Sequence, residues 1–149
     1  MLIRWLVASL HFIALGIGLG AIAVRSAALR GPLDAAGLAR VFRADALWGL
    51  AALLWVSTGL ARAFGGLEKG TAYYLDNHFF WTKMVLFILI IVLEMWPMMT
   101  LIRWRNLTRR GQSVDTQNAL QLSRLGAVQA GIVILIVFVA VAMARGVSL

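Results

Sequence analysis

Residues 79–102 read FFWTKMVLFILIIVLEMWPMMTLI, and this run decides the fold. A helix needs roughly 20 mostly apolar residues to cross the hydrocarbon core of a bilayer. The stretch passes that length with only Lys83 and Glu94 charged. Three further runs resemble it: 5–24, closed by Arg4 and Arg25; 46–64, after Arg43 and Asp45; and 125–144, between Arg124 and Arg145. The sequence therefore predicts an all-α integral membrane four-helix bundle, with a single transmembrane domain over 1–149.

Composition supports this outside the four runs as well. Hydrophobic residues make up 62% of the chain and charged residues 13%. The charged share is about half that of ordinary soluble domains. A water-soluble globule needs more polar residues to cover its surface. Cysteine is absent, which removes disulfides, thiol catalysis and thiolate metal sites. The net charge is +8, yet the basic residues gather at the ends of apolar runs. That placement points to the lipid bilayer as partner and not to nucleic acid. The first run is longer than the core of a cleaved signal peptide and carries His11, so it is read as a retained span.

Basic residues also give a direction. Arg25, Arg30, Arg40 and Arg43 fall in the link after the first span; Arg103, Arg105, Arg109, Arg110 and Arg124 fall between the third and fourth. The opposite side holds only Arg4, Arg62, Lys69 and Arg145. The positive-inside rule then predicts both termini outside, N-out/C-out. Within the links, Gly31-Pro32 breaks the chain and Asp34 can cap a helix that runs on into the second span. Gly65-Gly66 ends that span, Asp76 or Asn77 can cap the third, Gly111 stops it, and Ser113 or Asp115 can start the fourth.

The few polar residues inside the apolar runs are costly and therefore informative. A charge at the centre of a membrane helix costs roughly 2.5–3.5 kcal/mol on insertion scales. His11 lies two turns into the first span, with Gly18 and Arg25 following at heptad spacing on one face. It is either a packing histidine or a ligand to haem iron. His78 opens the third span on the same side, either as an interfacial residue or as a second iron ligand. Lys83, one turn further in, either snorkels to the headgroups or joins His11, His78, Arg62, Tyr73 and Tyr74 in a basic, aromatic-lined pocket for a carboxylate-bearing amphiphile such as a porphyrin. Glu94 lies about three turns from Lys83 on the same stripe, too far to pair with it; it is either a structural partner of Arg25, Arg43, Arg103, Arg124 or Gln129 or a proton relay. Gly16 and Gly20 form a small-xxx-small pair suited to close helix packing. Trp48, Trp55 and Arg62 make a heptad stripe on the second span.

The stretches 10–16 (LHFIALG), 42–49 (FRADALWG), 64–74 (FGGLEKGTAYY) and 102–105 (IRWR) together resemble a bacterial family of four-helix membrane proteins, domain of unknown function 2214. That resemblance implies the bacterial inner (plasma) membrane and no particular activity. More distantly, Leu10-His11 in the first span and Lys83 near the start of the third resemble the haem-binding membrane protoporphyrinogen oxidases. This second resemblance implies haem b or porphyrin at His11, with Lys83 as a catalytic or propionate-binding residue. Two classes of function follow. One is a haem- or porphyrin-linked redox protein with His11, His78, Arg62 and Lys83 at its site. The other is a non-enzymatic accessory subunit or assembly factor, acting as a homo-oligomer or within a larger membrane complex. No inverted repeat or broken helix pair points to a transporter.

Overall fold

The computed structural model describes residues 1–67 and 71–145, and Lys69, one of the cations used for orientation, lies outside them. Four long helices follow the four apolar runs: α1 Leu2–Ala28, α2 Ala35–Phe64, α4 His78–Arg109 and α5 Ala119–Ala144. All four are long and apolar enough to cross a membrane. A five-residue helix, α3 Thr71–Leu75, joins α2 to α4.

The helix ends follow local chemistry. Asp34 accepts a hydrogen bond from the Gly37 amide at 2.7 Å and caps α2. Asn77 accepts from Phe79 and Phe80 and caps α4. Gly66 and Gly111 adopt φ of 66° and 68°, the left-handed region that glycine enters without strain. The start of α5 differs from the expectation. Asp115 accepts from the Gln117 amide and is used up in a turn, so α5 begins only at Ala119, behind Asn118, whose side chain makes no cap. Pro97 sits buried inside α4, which continues through it.

Packing is uneven around the bundle. Helix α1 lies along both α2 and α5, and α5 lies along α4, whereas α2 and α4 meet at few points. At the arginine-rich end the helices close over Val41, Leu101, Trp104 and Leu122. Midway, Ile22, Trp48, Ile90 and Val133 form a second layer. Gly18, and not the Gly16/Gly20 pair, is the close-packing glycine of α1. A Cβ on Gly18 would lie 3.2 Å from the Trp48 ring, while Gly16 and Gly20 face open space. Toward the α3 end a cavity opens between the helices, beside a cluster of Ala63, Tyr74, Phe80 and Met143.

Two polar centres in the bundle

At the closed end an ionic network ties all four spanning helices. Arg25 of α1, 1% exposed, donates to both Glu94 oxygens on α4 at 2.6 and 2.9 Å and to Asp45 of α2 at 2.9 Å. Gln129 of α5 accepts from Arg25 at 3.3 Å and donates to Glu94 at 2.7 Å. Arg105 completes Asp45 at 3.2 Å while bonding the Phe42 carbonyl. Two cations thus meet two anions, with the buried guanidinium in a forked pairing. Of the partners the sequence offered for Glu94, the fold selects Arg25 and Gln129. Such a charge-balanced, cross-bonded set holds the four helices together.

The second centre lies where the helices part. A cavity of about 290 Å³ is lined by His11 and Phe12 of α1, Trp55 and Arg62 of α2, Tyr73 and Tyr74 of α3, Lys83 and Phe87 of α4, and Ile136 and Val141 of α5. His11, Arg62 and Lys83 are therefore brought together, while His78 is exposed at the first turn of α4 and is not among the lining residues. The cavity wall itself faces outward: Phe12, Leu60, Phe64 and Val141 are each half or more exposed. On membrane-spanning helices, outward surface faces lipid.

The local bonding fixes how His11 is presented. Thr58 Oγ1 lies 2.6 Å from the Leu54 carbonyl and 3.1 Å from that of Trp55, so its proton has acceptors on its own helix. The same oxygen lies 3.0 Å from His11 Nδ1, a contact that the Nδ1–H tautomer makes by donating to it. The His11 ring lies on Trp55, with centroids 5.8 Å apart, and presses on the α2 backbone at Gly59, where a Cβ would come within 3.2 Å. Thr58 and Gly59 are neighbours of His11 that sequence reasoning missed. Their only signal is that they lie within one turn of Trp55 on a helix facing His11.

The cations of the cavity rest on aromatic faces. The Arg62 guanidinium lies 5.7 Å from the Phe12 centroid, and the Lys83 ammonium 5.2 Å from that of Phe80. No carboxylate lies among the described lining residues, and none pairs with Lys83 among the described residues. Trp55 adds a buried Nε1–H with no acceptor among the described residues. No group of three or more His, Cys, Asp or Glu side chains that could hold a metal occurs among the described residues, and the cavity lining gives one histidine, His11.

A chain that is helical over its described residues, with four membrane-capable helices, an internal ionic clasp and a mostly apolar cavity bearing His11, Arg62 and Lys83, is a small polytopic membrane protein. It belongs to the family described as predicted membrane protein, domain of unknown function 2214, whose pattern matches residues 3–148. No curated protein and no solved structure matches the chain.

Proposed function

We propose that the cavity binds a flat, membrane-dissolved amphiphile carrying carboxylates, with b-type haem or a porphyrin as the occupant. The observation that carries this reading is His11: its Nδ1 lies 3.0 Å from Thr58 Oγ1, and the ring lines a cavity shared with Arg62 and Lys83. An imidazole anchored through one nitrogen is the arrangement that orients a metal ligand through the other. The donor set fits haem. His11 would hold the iron, Lys83 and Arg62 would hold the propionates, and the rings of Trp55, Phe12 and Phe87 offer faces for a macrocycle. The Trp55 Nε1–H is a donor in want of an acceptor, which a carboxylate supplies. The outward-facing wall favours a ligand that arrives through the hydrocarbon region over one that arrives from water. The cavity supplies one histidine and not two, so His78 has no part in this reading of the site. When bound, the haem iron would supply one-electron chemistry; the chain's own residues bind, orient and shield it.

Purified protein from a haem-replete host tests this directly. The expected result is a Soret band that is lost in His11→Ala, kept in His78→Ala, and weakened in Lys83→Ala. Haem-free protoporphyrin is expected to quench tryptophan emission of the wild type and much less that of Trp55→Phe. A wild type with no Soret band that also fails to take up added hemin overturns the proposal.

A further inference from the structure

We propose that the groove between α4 and α5 near the arginine-rich end holds one anionic phospholipid, its phosphate on Arg124 and a chain along Val92 and Val128. This site lies apart from the His11 cavity and does not depend on it. The groove has a polar end and an apolar end. On α5, Gln121 and Arg124 come one turn before Leu125 and Val128; on α4, Trp96 comes one turn after Val92. Because α4 and α5 pack side by side through a short link and run in opposite directions, the two polar ends coincide and so do the two apolar ends. A headgroup and a chain have the same division.

Charge balance argues for an anion from outside the chain. Of the carboxylates at this end, Asp45 and Glu94 are taken by Arg25 and Arg105, Asp34 accepts from the Gly37 amide and Asp115 from the Gln117 amide. Arg30 is engaged with Ser123 at 2.8 Å. Arg124 is exposed and no acidic side chain pairs with it among the described residues. Half-exposed Trp96 lies beside it, an indole with a polar N–H and an apolar body suited to the headgroup boundary. Basic pockets between helices on the cation-rich side suit phosphate headgroups. A free phosphate would satisfy Arg124 but leave Val92, Leu93, Leu125 and Val128 uncovered; a phospholipid covers both ends.

Native mass spectrometry of the detergent-solubilised protein with added phosphatidylglycerol or phosphatidylcholine reads this out. The expected result is one retained phosphatidylglycerol, preferred over phosphatidylcholine. Binding becomes about fivefold weaker in Arg124→Gln, the scale of one basic side chain near a membrane surface. Filling the chain end with Val128→Trp is expected to weaken it as well, while Arg110→Gln, an exposed arginine outside the groove, leaves it unchanged. Displacement by millimolar inorganic phosphate, unchanged binding in Arg124→Gln, or an equal loss in Arg110→Gln overturns the site.

Discussion

At the scale of single residues, Arg25 and His11 show opposite uses of a polar group in a membrane. Arg25 is surrounded by acceptors, so its removal strips Glu94 of its counter-charge, leaving it the Gln129 amide, and leaves Asp45 to Arg105. Breaking a buried pair from one side costs roughly 3–5 kcal/mol, whereas replacing both partners by apolar groups is often close to neutral. Arg25→Met is therefore expected to lower the midpoint of denaturant unfolding in detergent sharply, and Arg25→Met with Glu94→Met to recover much of the loss. Equal destabilisation of the single and double variants would count against the clasp. His11 is held through Nδ1 on Thr58. Thr58→Val should release its Nδ1–H, detectable as a change in tautomer balance by ¹⁵N NMR of labelled histidine, while Thr58→Ser keeps it. The sequence marks Arg25, Glu94 and Gln129 as candidates because each is expensive in an apolar run. It does not choose among the arginines, since that depends on helix rotation, nor does it flag Thr58, whose hydroxyl looks like an ordinary helix residue bonding back to its own backbone.

At the scale of elements, close approach is set by glycine. Gly126 of α5 lies against Ser26 of α1, and a Cβ there would run into the serine oxygen. Ser26 Oγ itself has no partner among the described residues, so its hydroxyl contributes no bond to lose. Gly126→Ala is expected to destabilise the α1–α5 contact by about 1–3 kcal/mol, the range for overpacking. Adding Ser26→Ala should restore most of that, measured as the shift in thermal aggregation temperature in detergent. The extent of α2, from Asp34 to the glycine pair, was readable because caps and glycines leave strong local marks. The small-xxx-small motif misdirected attention by two residues: it identifies a narrow face of α1 but not which glycine of GIGLG meets Trp48. Helix α3 escaped notice because five residues are too few to show a period. The late start of α5 escaped it because Asp115 serves a turn as readily as a cap.

At the scale of the whole molecule, the bundle is a wedge, locked by ions at one end and parted around a cavity at the other. Length and apolarity made the four helices legible, whereas the cavity was only partly so. The residues His11, Arg62 and Lys83 stood out by their cost, but the separation of α2 from α4 that makes room between them is a property of packing. Orientation is open to a clean test, because the natural chain has no cysteine. In intact cells, Asp76→Cys is expected to react with a membrane-impermeant maleimide and Ser113→Cys to stay protected; the reverse pattern would invert the topology. The ionic clasp also bears on how the protein is made. Arg25 lies 20 residues ahead of Asp45 and 69 ahead of Glu94 in the chain. During synthesis α1 therefore leaves the ribosome with a lone guanidinium, a burden of about 2.5–3.5 kcal/mol if it inserts at mid-depth by itself. The first counter-charge arrives with α2, the second with α4, and the Gln129 amide last with α5. The order of translation is the order in which the partners of Arg25 become available, Asp45 before Glu94 and Glu94 before Gln129.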